Sequence, residues 1–142
     1  MKIEVDVAGL KDALATITKL DKKTGGKILR TAVRDSAKII KKQAQQNAPV
    51  GTGALKRTMR VRKFKTRNRQ QVTVGVMTGK RVKLNIGEGS KYYYPAAIEY
   101  GSKKRNIQPS HFMRRALESK SAEAIQTMGS ILWRGIRQGF AL

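Results

Sequence analysis

The 142 residues are enough for one domain around one modest core. With 31 Lys or Arg against 9 Asp or Glu the formal net charge is +22, which points toward polyanions: nucleic acid, or the acidic surfaces of an assembly. The absence of cysteine excludes disulfides, thiolate metal sites and Cys nucleophiles and fits a reducing cytoplasm. No run approaches the ~18 apolar residues of a membrane span, and MKIEVDVAGL carries acids rather than the apolar centre of a signal peptide.

In residues 2–7, Ile3, Val5 and Val7 alternate with Lys2, Glu4 and Asp6, a period of two that predicts a short strand with one buried face. After Gly9, Leu10, Leu14 and Ile17 recur at helical spacing and predict about three turns ending near Lys22. Thr24-Gly25-Gly26 reads as punctuation, with Thr24 as the N-cap of the next helix. From Lys27 the positions Ile28, Leu29, Ala32, Val33, Ser36, Ala37, Ile39, Ile40 and Ala44 form one apolar stripe to about Asn47. Arg30, Arg34, Lys38, Lys41 and Lys42 fall mostly off that stripe, so the helix is amphipathic with a basic outer face.

Pro49 halts the helix, because the residue before a proline is pushed out of the α region. Pro49, Gly51, Thr52, Gly53 and Leu55 then read as a structural turn, with Thr52 capping a short helical turn at Ala54–Lys56. From Lys56 to Arg69, eight of fourteen residues are basic and none is acidic: Lys56, Arg57, Arg60, Arg62, Lys63, Lys65, Arg67 and Arg69. Between Asp35 and Glu88 lie 52 residues (36 to 87) with 14 Lys or Arg and no acid. Met59 and Val61 alternate with Arg60 and Arg62, which predicts a strand from about Thr58 to Lys65; Val72, Val74 and Val76 predict its antiparallel partner. The basic run is expected on one face of this hairpin. Val82, Leu84 and Ile86 alternate within the glycine-bounded segment 77–91, which reads as a β-arm. Tyr92–Tyr100 predicts a short helix ended by Gly101, and Ser110 is the expected cap of a last helix whose period runs from Phe112 to Ile136. The fold class is α+β: a small antiparallel sheet packed by a long helix in the N-terminal half and a long C-terminal helix, in one domain spanning 1–142.

Catalytic chemistry finds little footing. His111 is the one histidine and sits at a helix start; Ser110 and Ser119 lack a relay partner; Glu4 and Asp6 share a strand face where carboxylates are solvated. Nine acids, absent from the middle of the chain, are a poor supply for a divalent-metal nuclease. No zinc or calcium pattern is present, and GTGALKRT lacks the spacing of a phosphate-binding loop. No metal or cofactor is expected and the chain reads as a non-enzyme. The basic run has only Phe64 interleaved, and no base-reading motif accompanies it, so composition leaves nucleic-acid binding and assembly side by side.

Three segments in order, QNAPVGTGALKRTMRV (46–61), YYYPAAIEYGS (92–102) and QPSHFMRRALE (108–118), carry a resemblance. Together they resemble the tail-component, or neck, family of tailed bacteriophages. Pro49, Thr52, Gly53, Leu55 and Arg57 match its first motif, Tyr94, Glu99 and Gly101 the second, and Pro109, Phe112, Arg115 and Ala116 the third. Pro95 stands between Tyr94 and Ala96 where the family tends to have Tyr-Ala directly. The resemblance implies a structural virion protein, made in the host cytoplasm, that assembles as a homo-oligomeric ring, a hexamer, at the head–tail junction. It implies contacts with head-closure, tail-terminator or tail-tube proteins, with packaged DNA in the channel, and with no membrane. Tyr94, Glu99, Gly101, Pro109, Phe112 and Arg115 become candidate packing or interface residues, with Glu99 expected to pair with Arg57 or Arg115 within or between subunits. Six copies would carry about +132, which demands a polyanion or acidic neighbours. The alternative is a freestanding basic nucleic-acid-binding protein.

Overall fold

A computed structural model describes residues 9–49, 53–65, 72–78 and 94–140. The elements run α1 (Leu10–Ile17), α2 (Lys22–Asn47), α3 (Ala54–Thr58), β1 (Arg60–Phe64), β2 (Thr73–Met77), α4 (Tyr94–Tyr100), a 3-10 turn (Lys103–Arg105) and α5 (Phe112–Phe140). This is the α+β class expected, a two-stranded antiparallel sheet beside two long helices. The strand expected at 2–7 and most of the β-arm at 77–91 lie outside the described residues; of that arm, Met77 ends β2 and Thr78 is buried.

The first helix is shorter than its apolar spacing suggested, and the second begins earlier. α1 stops at Ile17 and α2 starts at Lys22, so Thr24 is not the cap. Asp21 is: its Oδ2 accepts the amides of Lys23 at 3.0 Å and Thr24 at 2.9 Å, two of the donors a helix start leaves unpaired. Hydrogen bonds from Thr24, side chain and then backbone, hold the Asp21 carboxyl below its ordinary value of 3.8. Thr24-Gly25-Gly26 is therefore helix interior. A Cβ on Gly25 would come 2.8 Å from the Ile17 carbonyl oxygen, so this glycine marks close packing between two helices rather than a break.

α2 and α5 run antiparallel and form the largest interface. Near one end Gly135 receives Ile28 and Gly139 receives Leu20 and Thr24; near the other the Asn47 amide donates to the Phe112 carbonyl at 3.4 Å. At 1.5 Å per residue they are roughly 39 and 44 Å long. Beyond Gly25, seven residues earlier, the buried positions advance in steps of four or multiples of four: Ala32, Ser36, Ala44 and the C-cap Ala48 on one, Phe112, Ala116, Ala124, Leu132 and Ile136 on the other. Each four-residue step turns the covered face by about 40°, so each helix winds its apolar side from one cluster to another. One cluster joins Ala13, Ile17, Ala32, Leu132 and Ile136 beneath α1. The other joins Ala44, Ala48, Leu55, Met59, Ile98, Phe112 and Ala116 beneath α3 and α4. Phe112 and Leu132 are the largest side chains fully removed from water, each worth about 1.5–3 kcal/mol of burial.

Candidate functional site

β1 and β2 pair with Arg60 opposite Met77, Val61 opposite Val76, Arg62 opposite Gly75, Lys63 opposite Val74 and Phe64 opposite Thr73. Because side chains alternate across a strand, Arg60 and Arg62 share one face with Phe64 while Lys63 shares the other with Val61, Val74 and Val76. Lys56 and Arg57 belong to α3. The basic run is thus not confined to one face of the hairpin, as periodicity suggested; a short helix takes its start and the strand divides the remainder. Arg60, Arg62, Lys63 and Lys65 are exposed; Arg67 and Arg69 lie outside the described residues. The Phe64 ring lies over Gly75, where a Cβ would meet it at 2.7 Å, covering the bare backbone of the glycine.

Between the hairpin and the first half of α2 lies an open groove of about 450 Å³. Val61, Val72 and Val74 form its half-buried floor. Lys27, Arg30 and Arg34 of α2 and Arg62 and Lys63 of β1 complete its lining, Lys63 on the valine face of the strand and Arg62 alternating to the other. The first three follow i, i+3 and i+7, so they line up on one side of the helix. Relative to Ala32 they fall roughly half a turn away, opposite the side that packs on α5. No acid lines this groove among the described residues. Arg30 and Arg34 were legible as the basic outer face of the helix. Lys27 and the partnership with β1 were not, because α2 was expected to begin at that lysine.

The acids that are described serve other purposes. Asp21 caps α2. Asp35 pairs with Lys38 at 2.6 Å, Glu118 with Arg114 at 3.7 Å, and Glu123 with Lys120. Glu99 is 7% exposed and its two carboxylate oxygens accept the amides of Met113 at 2.9 Å and Arg114 at 3.1 Å. These first-turn amides of α5, where a helix start favours an anion, are carboxylate partners that the sequence did not indicate. Of the described acids only Asp12, exposed on α1, has no side-chain partner among the described residues. The cations of the groove are therefore left without compensation from the described part of the fold.

The junction between α4 and α5 gathers several of the expected packing residues. Gly101 adopts φ 79°, and a Cβ there would lie 3.0 Å from the Ile107 carbonyl and from Pro109. The left-handed conformation and the close return of the chain both favour glycine. Ser102 and Ile107 exchange backbone hydrogen bonds, and the amides of Ser110 and His111 donate to the carbonyls of Ile98 and Glu99. Ser110 does not cap α5; its buried hydroxyl has no partner among the described residues, and the residue preceding the helix is His111 at φ 48°. The cap is the remote Glu99 carboxylate. Phe112 is fully buried, while Pro109 and Arg115 are exposed; α4 begins at Tyr94. In the helix-to-sheet turn, Gly53 at φ 71° occupies the N-cap position of α3 in place of Thr52. Thr52 and Gly51 fall outside the described residues, Pro49 is exposed, and Leu55 is buried against Ala44 and Ala48. The Gln45 side chain donates to the Lys56 carbonyl at 2.7 Å, tying α3 back to α2.

Among the described residues no group of acids, histidines and cysteines is placed to hold a metal ion, and no helix is long and apolar enough to cross a membrane. The geometry supports anion binding through exposed side-chain cations around an apolar floor. Comparison with family models matches residues 11–101 to the family described as "Bacteriophage HK97-gp10, putative tail-component". That span takes in the basic run and the Glu99–Gly101 segment and ends before Pro109 and Phe112. No curated protein and no solved structure matches the chain.

Proposed function

The chain belongs to the HK97-gp10-like family of phage tail components, and on that footing we propose that it is a structural virion protein forming a ring at the head–tail junction. In this reading the ring completes the tail and joins it to a DNA-filled head. Six copies are the proposed number, set by the sixfold order of the tail tubes such rings meet. Its neighbours are head-closure, tail-terminator or tail-tube proteins. Its role is mechanical rather than catalytic.

The observation that carries this reading is the uneven use of charge. Asp21 and the buried Glu99 cap helices and Asp35, Glu118 and Glu123 pair with cations of their own helices, whereas the cations of α2 and the hairpin stand exposed around an apolar floor. A chain at +22 that is to sit beside copies of itself needs anionic surroundings. A neck supplies them in two forms, acidic subunits and DNA. The deciding experiment is electron microscopy of lysates from phage lacking this gene. The expected result is DNA-filled heads and complete tails that remain unjoined, with joining restored by adding the purified protein. Joined, infectious particles without it would refute the proposal.

The exposed cations also support a second reading, a freestanding nucleic-acid-binding protein. It requires tight duplex binding with a steep salt slope. Failure to be retained on DNA at ~0.1 M salt disposes of it.

A further inference from the structure

We propose that the cations of α2 and β1 around the groove bind the phosphate backbone of duplex DNA independently of its sequence; this deepens the neck reading above, selecting DNA from the two anionic surroundings a neck offers. Lys27, Arg30, Arg34 and Lys41 of α2 lie within about 60° of one another around the helix axis and follow it for about 21 Å. Arg62 and Lys63 join the first three in the groove lining. Lys27, Arg30, Arg34, Arg62 and Lys63 are exposed, and Lys41 is half-buried. No ion pair among the described residues uses any of the six. A duplex strand offers one phosphate every ~3.4 Å of axis, so the row on α2 runs as far as about six base-pair steps.

The chemistry of this face selects the ligand. Interfaces between proteins centre on buried aromatic or large apolar anchors and are depleted in lysine. The exposed large apolar side chains among the described residues are Leu14, Phe64, Tyr100 and Phe140, and none of them lines the groove. Val61, Val72 and Val74 are half-buried already, so the floor does not require an apolar occupant. Neutralising phosphates requires only exposed cations, and protein–DNA interfaces are accordingly far more positive than those between proteins. A single strand is disfavoured because its binding sites stack bases on aromatic rings, and the described lining contains none. Base edges are also out of reach. A helix with its side chains is about 10–12 Å across and by itself fills a major groove of about 12 Å, whereas α2 carries the hairpin beside it along this face.

The location differs from the one the basic run at 56–69 suggests. In the fold that run is divided between α3 and the two faces of β1, and of its described residues Arg62 and Lys63 line the groove together with Val61. Three of the five groove cations come from α2 instead. The acids of the same helix and its cap do not offset them, because Asp35 is held by Lys38 at 2.6 Å and Asp21 accepts the first amides of the helix.

The test is fluorescence anisotropy of a labelled duplex of about 20 base pairs, titrated with the purified full-length protein from about 0.05 to 0.2 M salt. Six phosphate contacts predict a slope of log affinity on log salt of about −5, and two duplexes of unrelated sequence should bind within about twofold of each other. Arg30→Gln/Arg34→Gln should weaken binding about tenfold or more at ~0.1 M salt and make the slope shallower by about 2. Arg30→Lys/Arg34→Lys should keep the slope, since the backbone contact counts charges. Lys103→Gln/Lys104→Gln, exposed on the 3-10 turn, should have a much smaller effect, with helicity unchanged in every variant. An α2 pair that matters no more than the Lys103/Lys104 pair overturns the proposal. So does a single strand held more tightly than the duplex, or no duplex binding at the lowest salt, which would leave acidic protein as the partner of α2. The measurement uses purified protein alone, so duplex binding can fail while head–tail joining still requires the protein, and joining can prove independent of the protein while duplex binding through α2 stands.

Discussion

On the side of α2 that meets α5, the covered positions are mostly small and water is excluded: Ala32 clusters with Leu132 and Ala44 with Phe112 and Ala116, and Ser36 and Ala124 are buried as well. On the side that meets the hairpin, Lys27, Arg30 and Arg34 stand off from Val61 and Val74 around an open groove. Among the described residues the same helix thus presents one closely packed surface and another lined by exposed cations. Even polar groups are treated differently. Ser36 in the closed seam returns its hydroxyl to the Ala32 carbonyl at 2.7 Å, and the buried Glu99 carboxylate is filled by two amides. The cations of the groove have no acid among its described lining residues. Stability therefore resides in the seam and its caps, whereas the groove holds binding capacity.

The contrast can be broken most strongly in the seam. Phe112→Ala leaves a cavity among Ala44, Ala48, Leu55 and Ile98 and should cost about 3–5 kcal/mol in denaturant-induced unfolding. A cost below ~1 kcal/mol would mean this cluster is loosely packed. Next comes Glu99→Ala, which strands the amides of Met113 and Arg114 at a buried helix start; about 1–3 kcal/mol should be lost and hydrogen exchange at those two amides should quicken. Glu99→Gln, which keeps an acceptor, should fall between this variant and the wild type.

Groove substitutions sharpen the other half. Arg30→Gln/Arg34→Gln should change unfolding free energy by no more than ~0.5 kcal/mol, yet release the protein from an anionic resin at distinctly lower salt. A large loss of stability with unchanged retention would place the groove in the folding core instead. The smallest effect belongs to the α2 cap. The Asp21 carboxyl is held below 3.8 by Thr24 and Lys23, so its charge stabilises the folded state above that value, and the gain is lost as pH falls through the lowered folded value. Against Asp21→Asn, the wild type should melt higher at neutral pH and lose that advantage in the acid range, as followed by thermal denaturation from pH 7 to 2.

Much of the fold was legible because it rests on short-range rules. The 3.6-residue stripe from Ile28 to Ala44, the stop at Pro49 and the alternating valines at 72–76 identify a long helix, its end and a strand without reference to the rest of the molecule. Gly101 was legible for the same reason: a helix end followed by a return needs a left-handed residue. The errors fall where the tertiary structure substitutes a distant group for a local one. Thr24 and Ser110 look like caps; Asp21 and, from another helix, Glu99 do the capping. Thr24-Gly25-Gly26 looks like a break because glycine disfavours a helix in isolation, but here the missing Cβ admits the Ile17 carbonyl. Charge followed the same division. The amino-acid order determined by itself that the middle of the chain is basic and its acids scarce, since net charge requires no fold. Only the tertiary structure decided which cations face each other across an apolar floor. That arrangement depends on the short α3 separating Lys56 and Arg57 from the strand and on α2 starting early enough to bring Lys27 opposite Lys63, contacts between residues far apart in sequence that no local period encodes.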